Sequence, residues 1–402
     1  MAGLVEHDHS VLEAAGAAPM LDQTLVWSAI NSGSGNLLGL SKMAEQLATA
    51  FAVLPGELSL EDSEPIEQID TRGQSNLVQG GRNLHLRVRP QAPVQILLTG
   101  HMDTVFPADH PFQQTAWVEA GSKLGGPGVA DMKGGLAVML AALRAIELGP
   151  NAAKLGYEVV INSDEEVGSG GSAALIRRAA AGKQAALTYE PALPNGMLAG
   201  ARPGTGNFSI VVTGRAAHAG RNPEDGRNAI VAAADLAVRL AALKRVGLSV
   251  NPARIDGGGP NNIVPDRAVL RVNLRPGQIA DQAEAEAAIA RIMREIGEEH
   301  EVAIHAHGGF GRPPKPLDAQ SERLFKLVKA CGEALRQPID WQATGGVCDG
   351  NNIAACGVPV VDTMGVRGGN IHSVDEYLIV ESLAERAQLS ALVMLRLAAG
   401  AL

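Results

Sequence analysis

The chain has 402 residues, more than one hydrophobic core organises, and this length points to two domains. Apolar residues make up 46% and charged residues 19%, the balance of a globular chain rather than a disordered one. A net charge of -9 with only 3% aromatics argues against nucleic acid and an anionic membrane as partners. No apolar run reaches the length of a membrane span. The opening stretch MAGLVEHDHSVLEAAGAAPM lacks the basic and apolar regions of a secretory signal. Cys331, Cys348 and Cys356 are odd in number and lack metal-type spacing, so they read as reduced thiols and the expected location is cytoplasmic.

In chain order, the first 20 or so residues read as a loose tail. A helix is expected over 36–53. The apolar run VQILLT (94–99) has the length and composition of a buried strand. A helix over 134–148, a strand over 157–162, a helix over 172–181 and a strand over 185–189 follow. This alternation indicates an α/β domain with a largely parallel sheet. Beyond residue 200 the pattern changes to strand 207–213, helix 228–243, strand 268–274, helix 282–296 and strand 301–307. That β-α-β-α-β run is compact enough for a small ferredoxin-like layer pair. The segment GFGRPPKP (309–316) reads as a hinge, and α/β character returns with a helix over 320–335 and a strand over 358–361. The expected architecture is therefore a catalytic domain (1–200 plus 315–402) whose mixed, largely parallel sheet is sandwiched by helices, interrupted by an inserted ferredoxin-like lid (201–314).

The ends of the expected strands share a chemistry. GHMD closes the first with His101 and Asp103, INSDEE the second with Asp164, Glu165 and Glu166, and TYEP the third with Glu190. GGPGVADMKGG sets Asp131 in a glycine-rich turn before a helix, and GVRGGNIHS brings His372 after the last strand. Open parallel sheets bind ligands beyond the carboxyl ends of their strands. Carboxylates mixed with imidazole suit Zn²⁺, Mn²⁺ or Co²⁺. In His-x-Asp, both side chains share one face of a strand, so Asp103 would orient the His101 ring. Each motif alone has an ordinary alternative. Paired glutamates form solvated helix faces, Glu190 before proline is a turn residue, and a glycine-rich turn binds anions. The last of these also allows a nucleotide-binding reading, but the Gly-Lys-Ser/Thr ending of a phosphate loop is missing.

Taken together and in this order, GHMDTV (100–105), GPGVADMKGG (126–135), SDEEVGS (163–169), YEP (189–191), AHAG (217–220), NNIVP (261–265), TGGVCDGN (344–351) and HSVDEY (372–377) resemble the zinc-dependent exopeptidases and deacylases. That family includes glutamate carboxypeptidase, acetylornithine deacetylase, succinyl-diaminopimelate desuccinylase and aminoacylase; the likeness runs from about residue 100 to the C-terminus and is nearest in flavour to glutamate carboxypeptidase. The resemblance implies two Zn²⁺ per subunit, with Co²⁺ or Mn²⁺ as substitutes. His101 and Glu190 would bind one, Glu166 and His372 the other, and Asp131 both, with a cis peptide after it. Glu165 would act as general base.

The resemblance also implies an oxyanion role for His218, from the same chain or a partner subunit, and hence a homodimer through 201–314. Asn262 and Arg275 would bind substrate, Arg275 by forking onto an α-carboxylate. Gly346 would let the backbone approach the ligand. Arg367 departs from the family's usual small apolar residue; it either favours an acidic side chain or points to solvent. The implied activity is hydrolysis of a C-terminal or N-acyl amino acid. The alternatives are a biosynthetic N-acyl deacylase and a metal-dependent binding protein without turnover.

Overall fold

The computed structural model describes residue 4 and residues 6–402. The centre of the larger domain is a six-stranded sheet in the order Glu57–Asp62, Arg82–Val88, Leu155–Asn162, Val94–His101, Ala185–Thr188, Val360–Val361. The last four pair in parallel, and Arg82–Val88 pairs antiparallel with the strand on each side of it. Alternation decides which face each side chain serves. Ile96 and Leu98 join one core, with the Gly134–Glu147 and Glu381–Ala398 helices. Leu97 joins the opposite core, with the Ala173–Ala180 and Asp349–Ala355 helices. Burying each such aliphatic side chain contributes about 1.5–3 kcal/mol. The sheet is thereby pinned on both faces, and its carboxyl ends are held at a fixed height.

The N-terminal segment corrects one expectation. Residues 1–3 and 5 of the expected tail lie outside the described residues, but Glu6–Gly16 and Met20–Ser28 are helices. Val11, Leu12 and Ala15 are buried in the main core. Buried Asp8 pairs with Arg396 at 2.8 Å, so the segment is anchored by a helix nearly four hundred residues away.

Residues 205–312 hold a second, separate core. Thr205–Thr213, Ala229–Ala241, Leu248–Gly257, Arg267–Pro276, Ile279–His300 and Ala303–Arg312 form a β-α-β-β-α-β unit with an antiparallel sheet. Both helices pack on one face around Leu236, Leu270 and Ile292. The sequence reading omits the Leu248–Gly257 strand because it contains Pro252 and few apolar residues. An edge position tolerates this proline, and the register shifts between Pro252 and Arg254. A hairpin of the larger domain, Ile66–Ile69 with Ser75–Val78, meets the other face: Ile69 packs on Val211 and Val269, and Arg271 donates to Ile69 O at 2.7 Å.

The expected hinge is also shorter than read, since Gly309 to Arg312 complete the lid's last strand. The two chain crossings pair with each other: Arg202 N donates to Lys315 O and Lys315 N to Arg202 O, both at 3.0 Å. Both side chains converge on fully buried Asp362, each 2.7 Å from its Oδ2. No described helix is long and apolar enough to cross a membrane.

On the antiparallel side, His85 places Nδ1 2.7 Å from Glu61 and Nε2 2.7 Å from Glu158, joining three neighbouring strands. Burial disfavours its charge, but the two carboxylates overcome this and raise its pKa above the ordinary 6.5. A raised folded pKa means that the stabilisation is complete below the unfolded value and fades as pH climbs through the folded one. His85→Gln is therefore expected to lower Tm more at about pH 6 than at about pH 9. Equal losses at both pH values, by calorimetry, would contradict the bridge.

Candidate metal centre

Three parallel strands deliver ligand-type side chains to one end of the sheet. Val94–His101 ends on His101, Leu155–Asn162 runs into the turn carrying Glu165 and Glu166, and Ala185–Thr188 runs into Glu190. Two further loops close over them, 126–133 with Asp131 and 365–377 with His372. Glycines permit the approach: a Cβ on Gly135 or on Gly365 would lie 2.2 Å from Tyr189 O, so only a bare Cα packs against the backbone that presents Glu190. The Asp131–Met132 peptide is cis, as the resemblance implies. His372 adopts a left-handed φ of 63°, a strained setting of the kind found where function over-determines the backbone.

The distances define two groups that share one carboxylate. His101 Nε2 lies 3.2 Å from Asp131 Oδ1 and 3.8 Å from Glu190. His372 Nε2 lies 3.2 Å from Asp131 Oδ2 and 3.1 Å from Glu166. Within each group the ligand atoms are within 4.8 Å of one another. A third acid–histidine cluster, Asp235, Glu299 and His300, has Arg239 bonded to both carboxylates and is an ion-pair network.

The electrostatics test whether these residues fit cations. Burial pushes Glu190 up to about 7 and also raises Glu166 and, strongly, Glu165. Burial acts the same way on Asp131, but hydrogen bonds from His101 and His372 overcome it and hold the carboxyl well below its ordinary range. Those bonds to Asp131 and Glu166 in turn raise His372 to about 11. Four buried carboxylates facing one cleft demand positive charge between them. Imidazole and carboxylate oxygen donors in this ratio suit divalent ions such as Zn²⁺, Mn²⁺ or Co²⁺, so the residues fit as candidate metal ligands.

A further layer of carboxylates shapes the centre by accepting backbone hydrogens. Asp103 accepts from Glu165 N and Glu166 N at 3.1 Å each and from Ser34 Oγ at 2.7 Å. The His101 ring Nδ1 lies closer to the Asp103 backbone oxygen, 3.0 Å, than to its carboxylate, 3.3 Å. Asp164, unassigned from sequence, accepts from Gly171 N and Ser172 Oγ at 2.7 and 2.6 Å and closes the glutamate turn. Glu376 accepts from the amides of Gly128, Ala130 and Asp131 at 3.0–3.2 Å and so fixes the loop that presents Asp131. Sequence reasoning passed over Glu376 although it lies in HSVDEY; what marks it is its contact with a loop some 245 positions earlier. Arg312, read as hinge, is buried against Glu165 at 2.8 Å.

The remaining candidates fall in different places. Arg275 crosses from the lid and donates to Gly345 O at 2.9 Å, beside Gly346. His218 is exposed on the lid, its Nδ1 accepting from Gly220 N and Arg221 N at 3.1 Å. Asn262 adjoins it, since Ala219 N donates to Asn262 O. Arg367 is drawn instead to the last helix, pairing with Glu381 at 2.5 Å and Glu385 at 3.1 Å, and is not brought to the carboxylate cluster. Cys348 is buried and its Sγ caps the Asp349–Ala355 helix by accepting from Gly350 N.

The chain has recognisable relatives among known proteins. The chain is 31% identical over 382 residues to Carboxypeptidase G2 of Pseudomonas sp. (strain RS-16), an alignment covering 92% of this chain and 87% of the relative. It is 30% identical over 330 residues to the succinyl-diaminopimelate desuccinylase of Maricaulis maris, covering 75% and 80%. A tripeptidase from Staphylococcus aureus superposes with a TM-score of 0.71 at 22% identity, over 94% of this chain and 98% of that one. A metallo-carboxypeptidase from Sulfolobus solfataricus does so at 0.70 and 16%, over 95% and 99%; at such identities these two superpositions speak for the fold alone. The model of Peptidase family M20/M25/M40 matches residues 97–396, which contain every residue of the carboxylate–imidazole centre. With that match and those relatives, the chain belongs to this family and is a hydrolase acting on peptide or amide bonds.

Proposed function

We propose that the protein is a dimetal amidohydrolase that releases a C-terminal or N-acylated amino acid, in the manner of a glutamate carboxypeptidase. One observation carries the reading: two ligand groups, one buried and one opening to the surface at His372, share Asp131, and buried Glu165 stands beside them but belongs to neither. His101 and Glu190 would hold one divalent ion, Glu166 and His372 the other, and Asp131 both. When bound, such ions supply Lewis-acid polarisation of the carbonyl and acidify a water.

The chain's own residues do the rest. Glu165 accepts the water's proton at its carboxylate and returns it to the leaving amine, the division of labour that two adjacent glutamates on one turn permit. Burial raises the Glu165 pKa, which makes its carboxylate a stronger base. Arg275 would fork onto a substrate carboxylate, with Gly346 leaving room for the ligand backbone. His218, exposed and next to Asn262, would reach the site of a partner subunit in a homodimer formed through the lid and stabilise the developing oxyanion. Arg367, engaged by Glu381 and Glu385, has no part in this scheme. A cytoplasmic setting suits the unpaired cysteines. The similar identity to a desuccinylase supports a second reading, a biosynthetic N-acyl deacylase.

Metal analysis of the purified protein is expected to give about two divalent ions per chain. Chelation should abolish amide hydrolysis, and Zn²⁺ or Co²⁺ should restore it. Glu165→Ala should keep its metal yet lose about 10²–10⁴-fold in kcat; full activity in that variant would remove Glu165 from the mechanism. Across a substrate panel, faster turnover of acyl-glutamates and dipeptides than of acetylornithine and succinyl-diaminopimelate is expected, and the reverse order would favour the deacylase. Sedimentation should show a dimer, and His218→Ala should lower kcat without dissociating it. A fully active monomer would overturn the role given to His218.

A further inference from the structure

The lid's last strand ends on Arg312, and its side chain leaves the lid altogether. The side chain is 6% exposed and its Nη2 sits among four oxygens of the larger domain. It donates to Glu165 O at 2.9 Å and to Ser169 Oγ at 2.8 Å. It also lies 2.8 Å from Glu165 Oε1 and 3.4 Å from Asp349 Oδ1. Asp349 extends the network, accepting from Ser169 Oγ at 2.5 Å and from Asn162 Nδ2 at 2.8 Å. Arg312 thus meets the glutamate turn and the start of the Asp349–Ala355 helix at one point, and Asp349 carries the network on to Asn162 at the end of the Leu155–Asn162 strand.

The way these contacts are divided is informative. A nitrogen of this kind carries two hydrogens, and three acceptors share them, the backbone oxygen of Glu165, the hydroxyl of Ser169 and, at 3.4 Å, Asp349 Oδ1. Glu165 Oε1 is buried and accepts no directed hydrogen bond among the described residues, although the cation is beside it. The positive charge offsets the two buried carboxylates, Glu165 and Asp349, while the carboxylate oxygen keeps its lone pairs for a proton. From the other side, Asp103 grips the amides of Glu165 and Glu166. The turn is held at both ends, once by its own domain and once by the lid.

We propose that Arg312 is a positioning residue that sets Glu165 from across the domain boundary, so that the pose of the base depends on where the lid stands. Its catalytic consequence rests on the reading of Glu165 as general base; its structural content does not. The test uses the full-length metal-loaded protein with Arg312→Gln, and with Arg312→Lys, which keeps the charge but not the planar fork. In Arg312→Gln, kcat should fall on the order of 10²-fold with KM changed less than about threefold and bound metal unchanged, and Arg312→Lys should recover part of the loss. Hydrogen exchange of the peptide spanning 163–171, without substrate, should be faster in both variants. A large rise in KM with kcat preserved would make Arg312 a substrate contact and overturn the proposal. So would unchanged exchange at 163–171 in both folded variants. If the wild-type protein hydrolyses no amide while exchange still responds, the reading of the reaction fails and the positioning role stands.

Discussion

The structure turns on a concentration of like charge. Asp131, Glu165, Glu166 and Glu190 are brought together at the carboxyl ends of a parallel sheet, in surroundings that exclude most water. Carboxylates so placed repel one another and lose hydration, which is why burial raises three of them. Such a cluster persists only where the rest of the fold supplies positive charge and rigid support. His101 and His372 supply charge from the front, Arg312 from behind, and the two packed cores keep the strand ends from relaxing apart.

A second set of carboxylates does different work by the same chemistry. Asp103, Asp164 and Glu376 each accept hydrogens from backbone amides or hydroxyls of the loops that carry the first set. A carboxylate has about four lone-pair positions, so one side chain can fix several backbone groups at once. Glu376 ties a loop near the C-terminus to the loop presenting Asp131. Asp103 ties the first strand to the turn of the second. The geometry of the centre is therefore set by loops gripping each other rather than by the candidate ligands alone, in keeping with the support that metal sites draw from their surroundings.

The lid is connected by more than its two chain crossings. Those crossings pair through their backbones and share Asp362 through Arg202 and Lys315. Arg275 reaches the loop beside Gly346, Arg312 reaches the glutamate turn, and the Ile66–Ile69 strand packs on the lid sheet. Apart from Ile69 and its two valines, these are charged or polar contacts between domains, the kind of interface that accommodates relative movement more readily than an apolar seam.

Much of this was legible in the amino-acid order. Strand ends followed by His101, the Glu165–Glu166 pair and Glu190 are local features, and periodicity places them on a sheet without knowledge of the fold. Asn36 and Asn228 mark helix starts in the same local way, their side chains accepting amides of the first turn. The proline-bearing Leu248–Gly257 strand and the N-terminal helices escaped the reading, because an edge position and a distant helix make them possible, not local propensity. Arg312, Arg367, Glu376 and Asp164 show the same limit. Sequence determined which side chains are available at each strand end, since that depends on neighbours along the chain. Which carboxylates converge, which amides they grip, and whether an arginine faces the centre or the last helix were decided by tertiary structure, because those choices rest on contacts between separate elements, 62 residues apart for Asp103 and Glu165, 147 for Arg312 and Glu165 and 245 for Glu376 and Asp131.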